Sequence, residues 1–345
     1  MRKGQLVTLS VVVFAVPTLV LGQTGAPDGW TVPRTVEGNP DLQGIWASDS
    51  ATPLERPEEL LDKATLTDEE VATLQARAAS LFDGDTDAAF GESVFRAALT
   101  DQQDFRSGDG VTETTPDGTG NYNQFWLIDR WFDNRTSLIV DPSNGRLPSR
   151  TPEAEARIAD TRAARENPSS VTLTNELATL GSGLRCRGGR VPLTGRGYNS
   201  NYQIFQTADH VAIQMEMMHD TRLIPIGGEP PHPSSPRADL GSSHGYWEGD
   251  TLVVETTNLA RGSSGSTRDL HLTERFTRVG PDTLQYEYTM DDPSTWTQPW
   301  TARVFMRPAP GTGVIYEFAC HEGNYAIEHA LRGARALEAT QGAEQ

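Results

Sequence analysis

From Cys186 onward the chain alternates apolar and polar residues with period two, broken at short intervals by turn residues. That pattern writes half-buried strands, one face to a core and the other to solvent. Candidate strands cover 201–207, 210–219, 221–226, 251–258, 269–279, 283–291, 300–307 and 313–320. Glu248-Gly249-Asp250 and Gly280-Pro281-Asp282 separate neighbouring runs as hairpin turns. Consecutive antiparallel strands of this kind form a meander. The predicted fold class is therefore mainly β: an antiparallel meander closing as a calycin-like barrel or sandwich, with N-terminal helices and coil packed on it. No strand–helix–strand rhythm supports a Rossmann or TIM architecture.

The N-terminal half supplies the elaboration. A helix starts at Thr67, whose spacing to Glu70 makes a capping box, with Val71, Leu74, Ala78 and Leu81 at helical intervals. Thr151-Pro152 opens a second helix that runs to about Arg165. Short strands are expected at 42–47 and 136–140, and residues 100–120 read as a loop. The expected organisation is a signal peptide over 1–22 and one β-rich domain over 23–345. Within that domain, 23–185 is helical and coil elaboration, 186–330 the main sheet and 331–345 a tail.

Arg2 and Lys3 precede an uncharged apolar stretch from Leu6 to Leu21, and Val20-Leu21-Gly22 suits cleavage before Gln23. Pro17 interrupts the stretch, which falls short of the roughly 18–20 unbroken apolar residues of a membrane span. The expected location is periplasmic or secreted, with no membrane insertion after cleavage. The formal charge of −18 becomes more negative once Arg2 and Lys3 are removed. Such a surface repels nucleic acid, which is not expected as a partner. Cys186 and Cys320 are the only cysteines, and in an oxidising compartment they pair as a disulfide or remain two separately buried thiols. A bridge closing so long a loop contributes about 4–5 kcal/mol on the chain-entropy account.

The strings PDLQGIW (40–46), RTSLIVDPSNGRLP (135–148), YWEGDTLVVETTNL (246–259), LHLTERFTRV (270–279), DDPSTWTQPWT (291–301) and YEFACHEGNYAIE (316–328) span most of the chain. In them the chain resembles a large family of exported bacterial proteins. The resemblance implies a single exported domain and brings no activity with it.

Candidate chemistry comes from scattered residues. Glu274 shares a face with Leu270, Leu272 and Phe276, whereas His271, Thr273, Arg275 and Thr277 take the other. An inward carboxylate is either held by an arginine or used as an acid or ligand-binding group. His219, beside Asp220 and on the face of Met215 and Met217, is a candidate base or a loop-bonded histidine. Glu255, His271 and His321 complete the acid–base candidates. Gly241-Ser-Ser-His-Gly245 matches GxSxG without the strand–turn–helix setting of a nucleophile elbow, so Ser243 reads as an accidental match. No cofactor is evident; His219, His232, His271 and His321 with Glu255 or Glu274 would suffice for a bound metal, though no spacing demands one.

Aromatic clusters at Tyr122, Phe125, Trp126, Trp131 and Phe132, and at Trp296 and Trp300, suit sugar rings or seal the sheet. Tyr122, Trp126, Trp247 and Trp300 are the candidate ligand contacts. Two functions are in play. The first is an exported protein binding a small molecule or carbohydrate. The second is a hydrolase or lyase acting on an extracellular carbohydrate or similar compound. The sequence leaves the oligomeric state open.

Overall fold

The computed structural model describes residues 29–82, 93–101, 127, 129–166, 185–187, 189–195, 197–311 and 313–343. The expected signal segment and Tyr122, Phe125 and Trp126 lie outside the described residues. Ten strands form one antiparallel sheet: β1 (Gly44–Ala47), β2 (Ile139–Asp141), β3 (Asn201–Gln206), β4 (His210–Met215), β5 (Thr221–Pro225), β6 (Ser242–Glu248), β7 (Thr251–Thr257), β8 (His271–Gly280), β9 (Thr283–Asp291) and β10 (Trp300–Pro308). Their order is β5-β4-β3-β1-β10-β9-β8-β7-β6, with β2 on β10 beside β1.

The ladder is mainly antiparallel as expected but does not close into a barrel; its edges are β5 and β6. The edges nevertheless approach each other. Ile226 and Gly245 form a single parallel bridge, and the Gly227 amide donates to the Gly245 carbonyl at 2.8 Å. A Cβ on Gly245 would lie 2.7 Å from Ile226 Cδ1, so the missing side chain at this position admits the neighbouring edge.

Period two sets the faces. Leu272, Glu274 and Phe276 on β8 and Leu284, Tyr286, Tyr288 and Met290 on β9 are buried, while their alternates are half-exposed. They join Ile204, Ile213, Ile224, Leu252, Trp300 and Val304 in one core on the concave side. Three strand expectations need correction, and one strand was not expected. The run 210–219 stops at Met215, because Met218 and His219 take φ values of 61° and 57° that no strand accommodates. Ser242–Glu248 is a strand that the sequence reading missed. Residues 313–320 form no strand. The strand expected over 136–140 is shorter and later, at Ile139–Asp141.

Among the described residues four α-helices accompany the sheet: α1 (Asp68–Leu81), α2 (Ser93–Thr100), α3 (Pro152–Glu166) and α4 (Ala326–Ala343). The Thr67–Glu70 capping box is formed at both bonds, which contributes about 0.5–2 kcal/mol. Leu74 and Ala78 of α1 and Phe95 of α2 enclose a second small core with Phe132, whose ring stacks on Phe95 at 6.1 Å. Arg77 of α1 donates to the terminal carbonyls Ala98 and Leu99 of α2, where a cation is favoured. The expected tail belongs to α4, of whose described side chains only Ala334 is buried. Cys186 and Cys320 stand at disulfide distance, Cα to Cα 5.6 Å, and join the segment before α4 to the loop before β3. Among the described residues no helix is long and apolar enough to cross a membrane.

Candidate functional site

Where the segments 48–54 and 130–138 cross the concave face of β9 and β10, they leave a cavity of about 290 Å³. Leu54, Leu138, Tyr288, Trp300 and Val304 give it apolar walls. Hydroxyls of Ser48, Ser50, Thr52, Thr194 and Ser264 interrupt those walls. Among the described residues Arg130 is the one charged side chain lining it.

The aromatic wall is rigid. The Trp300 ring meets Tyr288 edge-on at 5.8 Å and Trp296 at 5.5 Å, so packing on two sides fixes its position. Residue 195 closes another side. A Cβ there would lie 1.9 Å from the Ser48 carbonyl oxygen, so only glycine permits the approach, and the Gly195 amide donates to Ser48 Oγ at 3.1 Å. Three of the lining hydroxyls already have partners, since Ser50 Oγ accepts from the Thr52 amide and Thr52 donates to Asp133.

Arg130 differs from the other core arginines. Its Nε and Nη2 are buried with no hydrogen-bond partner among the described residues, and burial lowers its pKa to about 10. The nearby Asp49 opposes that shift, but its Oδ2 is already ion-paired with Arg307, whose guanidinium also covers the Trp131 ring at 5.1 Å. Trp300 Nε1 is a second buried donor without a partner.

The acid–base candidates are spread over the molecule. Glu274 points inward as expected and is fully buried. Tyr286 donates to its Oε1 at 2.8 Å, and Arg222 Nη2 lies 2.6 Å from Oε2. The approach of Arg222 is too oblique for a hydrogen bond and is not a two-pronged fork, yet at this separation the charges attract strongly. Arg222 also donates to Ser243 Oγ at 2.8 Å and to Thr256 Oγ1. Ser243, the serine of the GxSxG string, thus lies within β6 as a partner of this arginine, with a strand following it. Burial, reinforced by the Glu274 charge, pushes the Tyr286 phenol well above its ordinary range.

His271 lies half-buried on the face of β8 opposite Glu274. Glu255 sits on β7, 3.5 Å from the Tyr246 hydroxyl. His219 occupies the turn before β5, its Nε2 2.7 Å from Gln214 Nε2 and its Nδ1 buried without a partner. His321 is exposed in a turn after Cys320, and His232 is exposed too, its Nδ1 2.8 Å from Ser234 Oγ. Among the described residues no three His, Cys, Asp or Glu side chains gather as a metal site. Of the aromatic candidates Trp300 lines the cavity, whereas Trp247 is half-buried and packs against the core from β6. Sequence reasoning missed Arg130, whose signal was a lone cation adjoining the aromatic pair Trp131-Phe132.

No protein-family model matches the chain, and no curated protein is significantly similar to it.

Proposed function

We propose that this protein is an exported β-domain that binds a small molecule in the cavity between the 48–54 segment, Arg130 and the β9–β10 face. The curled sheet serves as a calycin-like cup, and the N-terminal segments form its lid. The carrying observation is the cavity itself, which has rigid apolar walls, interspersed hydroxyls and, on Arg130 and Trp300, three buried donor nitrogens with no acceptor among the described residues. Such a mixture of apolar area and a few fixed polar groups characterises ligand pockets, and its volume suits a single-ring compound. Export is supported by the N-terminal segment and by the cysteine pair at disulfide distance.

The hydrolase or lyase reading has less support. Among the described residues no carboxylate or imidazole lines the cavity, and the sequence's acid–base candidates stand on separate elements. General acid–base chemistry needs such groups within hydrogen-bond reach of the substrate. The test is thermal unfolding of wild type and Leu138→Trp, which fills the cavity, against sugars, organic acids and amines. At least one class should raise the wild-type melting temperature and leave that of Leu138→Trp unchanged. Equal responses of the two proteins would exclude this cavity as the binding site.

A further inference from the structure

The geometry points to a small carboxylate with a flat apolar body as the cavity's ligand, its carboxylate on Arg130 and its ring against Trp300 and Tyr288. This inference rests on the binding function proposed above and specifies the ligand's chemistry.

A buried guanidinium loses hydration that must be replaced, and proteins seldom leave its donors unmatched. Arg130 has two such donors, Nε and Nη2, which belong to one edge of the guanidinium plane. That edge matches the paired oxygens of a carboxylate once the guanidinium turns toward the cavity, since both nitrogens are closed off by their surroundings. No described carboxylate bonds Arg130, although the charge of Asp49 acts on it and Asp49 Oδ1 has no hydrogen-bond partner among the described residues. Asp49 is ion-paired with Arg307, and Asp133 is held by Arg135. Gly197 has φ +103°, and a Cβ there would lie 2.8 Å from Arg130 Nη2, so glycine at this position keeps space for the guanidinium.

The rest of the lining narrows the class. With one cation and no second positive charge among the described lining residues, a monoanion balances the site and a phosphate dianion does not. The walls of Leu54, Leu138 and Val304 and the two fixed aromatic rings exclude a strongly hydrated body such as a sugar acid. Trp300 Nε1 offers a further donor to a carbonyl or hydroxyl oxygen on the ligand.

The probes are benzoate and cinnamate, each paired with its neutral amide, plus inorganic phosphate, titrated into the full mature chain by calorimetry and tryptophan fluorescence. The carboxylates should bind and perturb tryptophan emission, with each amide and phosphate roughly tenfold weaker or more, because a charge-assisted contact is lost or mismatched. Arg130→Met should abolish carboxylate binding while the unliganded protein still unfolds cooperatively, since the Nε and Nη2 it removes make no hydrogen bond to a described residue. Arg130→Lys should bind more weakly than wild type, having lost the paired-donor edge. Amides that bind as well as the acids, or carboxylate binding that survives Arg130→Met, would overturn the assignment. Either result leaves the small-molecule cavity standing. Carboxylates that fail to bind wild type while a neutral compound stabilises it, but not Leu138→Trp, also overturn it. If nothing discriminates wild type from Leu138→Trp, the assignment and the binding function fall together.

Discussion

Arg222 on β5 and Glu274 on β8 meet at 2.6 Å across the concave interior, although five strands separate them along the ladder. The contact is possible only because the sheet folds back until its two ends share a core. It also sets an energetic asymmetry. Removing one partner leaves a buried charge uncompensated, whereas replacing both with apolar groups is far less costly. Glu274→Gln, which keeps the shape, should destabilise by about 3–5 kcal/mol in urea unfolding. Arg222→Met with Glu274→Leu should recover most of that, because Ser243 and Thr256 retain each other at 3.1 Å. A stable Gln variant would show that the pair contributes little to holding the sheet ends together.

Tyr286 and Tyr288 make stability pH-dependent on the alkaline side. Burial raises both phenols, and Glu274 adds to the shift at Tyr286. Above pH 10 the unfolded chain releases these protons and the folded chain keeps them, so stability falls as pH rises. Each tyrosine accounts for a loss of about 1.4 kcal/mol per pH unit. Arg130, lowered to about 10, acts in the opposite sense, since the folded state gives up its proton first. Urea midpoints of wild type and Tyr288→Phe between pH 8 and 11 should diverge, the variant declining less. Parallel curves would refute the assignment of buried, un-ionised phenols.

The cysteine pair should matter chiefly to the C-terminal segment. Only Ala334 is buried among the described side chains of α4, so the bridge is the main anchor near its start. Non-reducing peptide maps of exported protein should link Cys186 to Cys320 in a chain that begins at Gln23. Cys320→Ser should expose 313–343 to limited proteolysis while far-UV circular dichroism keeps its β signature. Equal protease resistance with and without the bridge would mean that α4 is held by packing instead.

Gly195→Ala places a methyl carbon against the Ser48 carbonyl, at 1.9 Å before any movement. The 194–195 segment must then retreat from the cavity wall, at a cost of about 1–3 kcal/mol. Ligand stabilisation should weaken along with the fold. A Gly195→Ala protein with wild-type melting and binding would show that this wall is pliable.

Much of the architecture was legible because it is locally encoded. Alternation on β8 and β9 assigns Glu274, Leu272 and Phe276 to the interior, and the Thr67–Glu70 spacing starts α1 where the cap bonds form. β6 escaped notice because Ser242, Ser243, His244 and Gly245 lack β-branched bulk, although Gly245 is small for the sake of its neighbour Ile226. The run 313–320 alternates well enough but finds no edge on β10, which pairs with β9 on one side and with β1 and β2 on the other. The cavity left no pattern at all. Its walls come from Ser48, Arg130, Thr194, Ser264 and Trp300, and no periodicity connects residues so far apart.

β1, at Gly44–Ala47, lies between β3 and β10 and pairs with residues as late as Pro308. The sheet's middle is thus closed by the two ends of its sequence, with the intervening strands spread to either side. The joint between the β5-β4-β3-β1 half and the β10–β6 half cannot form until residues 300–308 have emerged, and pairing across such separations is slow. For the export proposed here that delay is useful, because a chain whose half-sheets are still unjoined is easier to thread across a membrane.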